Sequence, residues 1–408
     1  MSDRPVRIMV VTRNPVDPNQ GGPGKVVLML HTGIRQSKFK DQALVTSVVG
    51  EDARLLEDNA PFAPALAGSG SRFGALIKYL YHLSFYPSRV RAEAAYASWR
   101  TRILQLVEEQ EPDIVHCHDY GAVYALPVGL SVPVVFTNHG KGSLYREYSA
   151  PYNPAFRTPL WRRYLQGIET KAIDRADVLV FPSESARQLL IDDFPDMAET
   201  ILAKSRIIYT GIDDPAEGAA SATVAPAGRS RLVVNVANHV PDKAIDVALR
   251  LFARLKREDD SLRFVNVGAH GPCTCDLQKL AAKLGISEAV EFRGVVEHSE
   301  VRDLVRQAAL YLHTPMRVVF DLSVLEAMSY STPVIASGAR GNLEALGDSY
   351  PLVVPVGVSD LADRQLALIR DSDELMLLGQ RLRARFVEHF TSKAWMSNYV
   401  ALWKELAD

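Results

Sequence analysis

Residues 231–268, RLVVNVANHVPDKAIDVALRLFARLKREDDSLRFVNVG, contain one complete strand–helix–strand pattern. The two ends, 231–237 and 263–268, are short runs rich in Val, which is typical of strands that are buried on both faces. Between them, 243–257 repeats apolar residues at the spacing of an amphipathic helix. This order predicts a right-handed βαβ unit in a parallel sheet.

The same alternation extends through most of the chain. Further strands are predicted at 6–11, 113–118, 132–137, 176–183, 205–210, 289–294, 308–314 and 332–337. Further helices are predicted at 90–109, 160–175, 275–284, 299–308, 323–330 and 391–408. An α/β fold with two successive Rossmann-like, doubly wound domains follows from this order.

One segment interrupts the alternation. Residues 214–230, DPAEGAASATVAPAGRS, are small and have no periodic apolar face, so they are predicted to link a first domain, 1–213, to a second, 231–385. Residues 386–408 should form a terminal helix that returns to the first domain. Ligands of such folds bind beyond the carboxyl ends of the strands, so the chemistry is expected there, in a cleft between the domains.

The composition excludes several classes of protein. Lys and Arg number 46 and Asp and Glu number 48, which gives a net charge of −2 and argues against a nucleic-acid partner. Three cysteines are too few for a disulfide framework and indicate a reducing compartment. The chain shows no signal peptide and no apolar run of about 20 residues, so we expect a soluble, cytoplasmic protein.

Three polar motifs follow predicted strands in the first half of the chain. GGPGK, 21–25, combines glycines with a helix start, which suits a phosphate ligand and equally suits a plain glycine turn. VHCHD, 115–119, places His116 and His118 on one face of a strand, and His139 ends the next strand in the same way. Each histidine fits either a buried structural role or a role at the cleft, and no third metal ligand lies nearby.

Two charged residues are the main candidates for ligand binding in the second half of the chain. Lys243 lies near the start of a helix, where a cation beside free backbone N–H groups suits a diphosphate. Glu326 lies in an apolar helix, where a carboxylate is rarely buried without a partner. Such a carboxylate can accept hydrogen bonds from both hydroxyls of a ribose.

These motifs together resemble glycosyltransferase family 4. The likeness is carried by VPDKAIDVALRLFARL, 240–255, and LSVLEAMSYSTPVIASGARGNLEAL, 322–346, and the other motifs follow that family's order. The resemblance implies a GT-B architecture and retaining, metal-independent transfer of a sugar from a nucleotide sugar, most simply a UDP or GDP sugar. It implies no cofactor.

The resemblance also implies roles for individual residues. Lys243 matches the lysine that binds the donor diphosphate, Glu326 the carboxylate that holds the ribose, and His118 a histidine that contacts the donor sugar; these three are the expected catalytic residues. The residues expected to bind the donor are Gly21, Gly22, Asn238, Lys243, Val295, Phe320, Asp321, Leu322 and Glu326.

The sequence departs from the family at three positions. Asn238 stands where the family usually has Arg, Val318 where a first Glu is expected, and Asp321 where Gly is usual. His239 and Lys25 are candidates to replace the missing positive charge, and Asp321 could bind a sugar hydroxyl. The alternatives are a catalytically silent homologue that acts as a partner subunit, and a nucleotide-sugar epimerase of the same architecture.

The acceptor side is expected in the first domain. Residues 59–92 contain no acidic residue, and 72–91 interleave Arg and Lys with Tyr and Phe; 141–164 show a similar pattern. Such a surface suits an anionic membrane and a glycan, lipid-linked or polysaccharide acceptor, although an ordinary solvated helix face fits it too. Asp119, His139 and Arg146 are the candidate acceptor-binding residues.

Overall fold

The computed structural model describes residues 4–16, 23–56, 85–127, 129–148, 158–217 and 230–408. Packing divides the chain into two compact units. The first comprises Met1–Ile208 with Met396–Asp408, and the second comprises Tyr209–Trp395. Each unit is built around its own sheet.

The first unit contains a seven-stranded sheet in the order β3-β2-β1-β4-β5-β6-β7. Neighbouring strands are parallel except for β3, which is antiparallel to β2. The strands are β1 Val6–Thr12, β2 Ala43–Val49, β3 Arg54–Leu55, β4 Ile114–Cys117, β5 Val134–Thr137, β6 Val178–Phe181 and β7 Ser205–Ile207. The helices described before the second unit are Pro23–Gln36, Phe85–Gln110, Tyr120–Ala125, Leu144–Tyr148, Pro159–Arg175, Glu184–Asp193 and Ala198–Lys204.

The second unit contains a six-stranded parallel sheet in the order β10-β9-β8-β11-β12-β13. Its strands are β8 Leu232–Val236, β9 Arg263–Val267, β10 Val290–Gly294, β11 Leu310–His313, β12 Val334–Ser337 and β13 Val353–Val354. Its helices are Ile245–Glu258, Thr274–Lys283, His298–Gln307, Leu322–Ser329, Arg340–Leu346, Asp363–Arg370 and Ser372–His389. The last helix of the chain is Ser392–Ala407.

The amphipathic pattern of 243–257 has the packing that the sequence predicts. The helix Ile245–Glu258 buries its apolar face against the second sheet, and Phe252 and Phe264 are fully buried with ring centroids 5.3 Å apart. Burial of each such side chain contributes about 1.5–3 kcal/mol. The predicted fold class, two Rossmann-like α/β domains, is confirmed.

The strand β2 was not predicted from the sequence. Its residues Ala43–Val49 alternate at first between buried and exposed, and the side chain of Leu44 is 50% exposed. The strand lies second from the edge of the sheet, and Leu44 and Thr46 on one face are exposed or partly exposed. A continuous apolar run, the pattern used to identify the other strands, is therefore not required here.

The boundary between the two units lies a few residues earlier in the chain than predicted, after Ile208 rather than after residue 213. Residues 209–213 belong to the second unit, because the Ile212 amide donates to the Phe390 carbonyl at 3.0 Å. Most of the predicted linker, 218–229, lies outside the described residues.

From Met396 onward the last helix belongs to the first unit. The Tyr399 hydroxyl lies 2.9 Å from Oγ1 of Thr137, and Nζ of Lys404 donates to Oε1 of Gln42 at 2.9 Å. No helix in the described part of the chain is long and apolar enough to span a bilayer.

Candidate functional site

In the second unit, Lys243 is held by a tight turn at the carboxyl end of β8. The turn ends at Ala244, which has a left-handed backbone, φ 44°, and precedes the helix Ile245–Glu258. This conformation costs a residue with a Cβ about 1–2 kcal/mol. Oγ1 of Thr314, just after β11, donates to the Ala244 carbonyl at 3.0 Å and so helps to hold the turn.

Asp321 lies directly against Lys243. Nζ of Lys243 donates to Oδ2 of Asp321 at 2.9 Å, and the two side chains are 26% and 23% exposed. The other oxygen, Oδ1, accepts hydrogen bonds from the amide and hydroxyl of Ser323 at 3.2 and 2.8 Å, so Asp321 caps the helix Leu322–Ser329. Nε2 of the buried His313 lies 3.6 Å from Oδ2.

The environment keeps Asp321 ionised. Burial raises the pKa of this carboxyl, but the nearby His313 and Lys243 and the hydrogen bonds from Lys243 and Ser323 outweigh burial and hold the pKa below its usual range. Asp321 therefore carries a negative charge at neutral pH. A position near the donor was predicted for this residue from the sequence, but its ion pair with Lys243 was not.

Glu326 lies about one turn further along the same helix. Its Oε1 is 2.8 Å from Nε2 of His298, and the Glu326 side chain is 13% exposed, whereas that of His298 is 48% exposed. The expectation that this carboxylate would have a partner holds, although sequence reasoning missed the partner. His298 was not among the residues predicted for the site, although it lies three residues after Val295, which was.

Three other residues of the second unit that were predicted to bind the donor lie in surroundings that differ from one another. Val295 follows β10 and is 77% exposed. Oδ1 of Asn238 accepts a hydrogen bond from the Ala269 amide at 2.8 Å, which ties together the loops after β8 and β9. Leu322, half-buried at the start of its helix, packs against the apolar core of the unit.

Phe320 is part of an aromatic cluster. Its ring centroid lies 5.6 Å from that of Tyr209 and 5.4 Å from that of Phe390. The ring of Phe320 therefore packs within the unit. Nearby, Val318 is buried, and a Cβ added at Gly341 would lie 2.6 Å from the Val318 carbonyl oxygen.

His239 does not supply the missing positive charge. Its ring is buried, with Nε2 2.6 Å from Oδ1 of Asn266 and Nδ1 2.8 Å from Oγ1 of Thr274. The Asn266 amide nitrogen donates elsewhere, so Oδ1 accepts from the ring. Burial lowers the pKa of His239. The expectation that His239 supplies a positive charge is wrong. Both of its ring nitrogens have hydrogen-bond partners, and burial favours the neutral ring.

Three histidines of the first unit lie together where β4 and β5 end. The ring centroids of His116 and His118 are 4.4 Å apart, and Nδ1 of His118 lies 3.0 Å from Nε2 of His139. Nε2 of His116 lies 2.7 Å from Oγ1 of Thr137. Among the described residues, Nε2 of His118 has no hydrogen-bond partner.

These histidines are neutral at neutral pH. Burial lowers the pKa of His116 to about 3 and that of His139 to about 4. Burial also lowers the pKa of His118 well below its usual value, and the neighbouring His116 and His139 lower it further. The cluster therefore offers hydrogen bonds rather than positive charge.

Asp119 has a structural role. Its Oδ1 accepts from the Ala122 amide at 2.7 Å and caps a short helix, while Oδ2 accepts from the Arg13 amide and the Thr12 hydroxyl at 2.7 and 2.9 Å. Burial raises the pKa of this carboxyl. These bonds use both oxygens to hold the ends of β1 and β4 together.

A cavity of about 400 Å³ opens beside these residues within the first unit. Its lining includes Arg13, Tyr96, His118, Asp119 and His139. It lies at the carboxyl ends of parallel strands, where ligands of such sheets bind.

Arg146 lies on a different element and forms an ion pair with the buried Asp193. Gly21 and Gly22 lie outside the described residues. Within the described ranges, no group of three or more His, Cys, Asp or Glu side chains is arranged to hold a metal ion.

Comparison with known protein families covers most of the chain. Residues 57–214 match the family described as Glycosyltransferase Family 4, and residues 220–388 match that described as Glycosyl transferases group 1. The two matches fall largely in the first and the second unit, respectively.

Similar proteins with assigned functions include glycosyltransferases. The MMP α-(1→4)-mannosyltransferase of Mycolicibacterium hassiacum is 29% identical over 72% of this chain and 70% of that protein. The α-monoglucosyldiacylglycerol synthase of Streptococcus pneumoniae is 25% identical over 67% of this chain and 63% of that protein.

Solved structures share the fold. The complex of Anabaena HepE with UDP-glucose has a TM-score of 0.66 at 16% identity and covers 98% of this chain and 100% of that one. The order of strands, the two family matches and the relatives agree with the resemblance found in the sequence. The chain belongs to glycosyltransferase family 4.

Proposed function

We propose that this glycosyltransferase moves a sugar, with retention and without a metal ion, from a nucleotide sugar to a glycan or lipid-linked acceptor such as a cell-surface polysaccharide. The observation that carries the proposal is the grouping of Lys243, Asp321 and Glu326 at the carboxyl edge of the second sheet. An ammonium, a helix start and a carboxylate in one place suit the diphosphate and ribose of a nucleotide sugar.

The donor diphosphate is proposed to bind beside Lys243. The helix that follows it, Ile245–Glu258, has no side-chain cap within the described residues, so its first N–H groups remain available for a phosphate. When the bond to the sugar breaks, negative charge develops on the diphosphate. A fixed ammonium and a helix N-terminus stabilise that charge, and loss of one such contact costs about 3 kcal/mol.

The same arrangement explains how the reaction could proceed without a divalent cation. Lys243 supplies a positive charge at the position proposed for the leaving group. Glu326, held by His298, is proposed to accept hydrogen bonds from the ribose hydroxyls. The UDP-glucose bound by HepE makes uridine nucleotides the first donors to test.

The acceptor is proposed to bind in the cavity of the first unit. The two histidines that line it, His118 and His139, are neutral and carry ring nitrogens that can pair with hydroxyl groups, which suits a sugar acceptor better than a strongly anionic one. His139 and Arg146, two of the predicted acceptor-binding residues, are proposed to contact it. His118, which the resemblance assigns to the donor sugar, also lines this cavity and is proposed to contact the acceptor as well.

A membrane surface is proposed beside the acceptor site. Most of 72–91 lies outside the described residues, but the starts of the helices Phe85–Gln110 and Pro159–Arg175 are described and pack together through Phe85 and Trp161, with ring centroids 5.1 Å apart. Tyr86 and Val90 are each 69% exposed and Leu160 is 50% exposed, next to basic residues. Exposed apolar and basic side chains together favour an anionic bilayer. The basic residues are Arg89, Arg91, Arg162 and Arg163.

Thermal unfolding with UDP, GDP and ADP sugars tests the donor proposal. A ligand at about 100 times its Kd stabilises the folded protein by about 2.7 kcal/mol, which is a shift of a few degrees. We expect one nucleotide class to raise the Tm of the wild type and of Lys279→Ala, an exposed lysine of the same unit, but not of Lys243→Ala. Absence of any shift would contradict donor binding.

A catalytically silent partner subunit is the second candidate. Asn238 and Val318 motivate it, because Asn238 is tied to the next loop and Val318 is buried and apolar, so neither supplies the charge expected at its position. A protein that binds a nucleotide sugar but releases no nucleoside diphosphate with any acceptor would support this second function.

A further inference from the structure

Asp321 fills a position that an anionic ligand would otherwise take. Its carboxylate caps the helix Leu322–Ser329, which is where a phosphate oxygen would be stabilised, and it also accepts a hydrogen bond from Lys243. The protein thus places its own anion on the ammonium that the proposed function assigns to the diphosphate.

Lys243 and Asp321 largely cancel each other's charge. A diphosphate brought to Lys243 approaches the ionised Asp321, and like charges at such distances repel each other. Asp321 cannot relieve this repulsion by turning away, because Ser323 holds its Oδ1 with two hydrogen bonds and the residue begins a helix. The flexible stem of Lys243 is the part of the pair that can move.

Once Lys243 turns toward a phosphate, Oδ2 of Asp321 loses a hydrogen-bond donor. His313 remains 3.6 Å away, beyond hydrogen-bond distance. An ionised, half-buried oxygen needs a replacement donor. A sugar hydroxyl attached to the diphosphate can supply it, whereas a free nucleoside diphosphate has no such group at that place.

We propose that Asp321 competes with the donor diphosphate for Lys243 and is compensated only by a hydroxyl of the attached sugar, so that it sets the preference for the intact nucleotide sugar over the free nucleoside diphosphate. This inference rests on the proposed function. Before transfer, the sugar hydroxyl binds Asp321 while Lys243 binds phosphate. After the sugar leaves, Lys243 returns to Asp321 and release of the nucleoside diphosphate is favoured.

Titration calorimetry on Asp321→Asn tests the proposal. Asn is as good a helix cap as Asp and has nearly the same shape, so the fold should be retained. Asp242→Asn is the matched control, since it removes an exposed carboxylate next to Lys243 that is not paired with the ammonium in the structure. Each protein is titrated with UDP, GDP and ADP and with the corresponding sugars.

We expect Asp321→Asn to bind the nucleoside diphosphate about fivefold to tenfold more tightly than the wild type, in keeping with the loss of one half-buried ion pair. The intact nucleotide sugar should gain no affinity, so the preference for it should shrink. Asp242→Asn should keep the wild-type preference.

The results separate the two proposals. If the wild type and Asp321→Asn bind the nucleoside diphosphate equally, or the variant binds it more weakly, while Lys243→Ala abolishes binding, the role of Asp321 is wrong and the donor site stands. If none of the nucleotides binds to any of the proteins, the proposed function fails and the inference fails with it.

Discussion

The two units place their polar residues in opposite physical states. In the second unit, Lys243 and Asp321 are charged, paired and about a quarter exposed. In the first, His116 and His118 are buried and His139 is partly buried. All three rings are neutral, and they bond to one another or to neighbouring side chains. Both groups lie at carboxyl ends of parallel strands. Position in the fold therefore indicates where ligands bind, and burial indicates which kind of ligand.

This difference matches what the donor and the acceptor of a glycosyl transfer each require from the protein. A leaving diphosphate gains charge during the reaction and requires fixed positive charge. An acceptor hydroxyl is neutral and requires hydrogen bonds of defined direction. Four substitutions test this division, and they differ in the size of the effect expected.

The largest effect is expected for Lys243→Ala. Loss of the ammonium should lower kcat/KM for donor turnover by about 100-fold or more, equivalent to about 3 kcal/mol, because it removes a contact to charge that develops in the transition state. Nucleoside diphosphate release in steady state measures it. Lys279→Ala, a lysine with a 78% exposed side chain, should retain the wild-type rate. Equal rates in the two variants would show that Lys243 does not belong to the donor site.

A smaller loss is expected for Glu326→Gln. An amide can accept only at its oxygen, so one ribose hydroxyl should lose its partner, at a cost of about 2 kcal/mol. The wild type should prefer a ribonucleotide sugar over the 2′-deoxy form, and the variant should discriminate less. Undiminished discrimination in the variant would show that Glu326 does not hold the ribose.

The first unit should lose stability in acid. The folded-state pKa of His116, about 3, lies below the usual value of 6.5, so the unfolded chain binds more protons between these values and the stabilisation falls as the pH drops below 6.5. At pH 5 this residue alone should cost about 2 kcal/mol of unfolding free energy relative to pH 7.

Denaturant unfolding at both pH values, followed by signals from the first unit, checks this loss. His116→Gln should show a smaller difference between the two pH values than the wild type. The exposed His270→Gln should behave like the wild type. An unchanged pH dependence in His116→Gln would mean that this ring is protonated in the folded protein.

The smallest effect is expected for Tyr399→Phe. The hydroxyl lies 2.9 Å from Oγ1 of Thr137, which also bonds to His116, so its loss should reduce the unfolding free energy by about 1 kcal/mol. Donor binding should not change, because this contact lies within the first unit. A weakened affinity for the nucleotide would argue against separate roles for the two regions.

The sequence predicted the fold well because its signals are local. Continuous apolar runs and helical spacing identified the strands that flank the site, including β8 and β11, within one to three residues at each end. The strand β2 was not predicted, because its residues alternate at first between buried and exposed and do not form a continuous apolar run. Lys243, which follows β8, and Glu326, in the helix after β11, lie on elements that the sequence predicted, and their role at a donor site stays a prediction.

The partners of these residues could not be read from the sequence. Asp321 is 78 positions from Lys243, and His298 is 28 positions from Glu326. Such pairs depend on the order of strands in the sheet and on side-chain directions, which spacing does not encode. His239 shows the opposite error. It was a candidate to replace the positive charge missing at Asn238, but burial and two hydrogen bonds give it a structural role.

The most direct test of the central claim, that Lys243 in the second unit marks the donor site of an active enzyme, is transfer of radiolabelled sugar. A labelled donor of the nucleotide class that stabilises the protein is incubated with a membrane extract and with the wild type, Lys279→Ala or Lys243→Ala. We predict labelled glycan or glycolipid product with the first two proteins and at least about 100-fold less with Lys243→Ala. Equal labelling by Lys243→Ala, or no labelled product with the wild type, would contradict the claim.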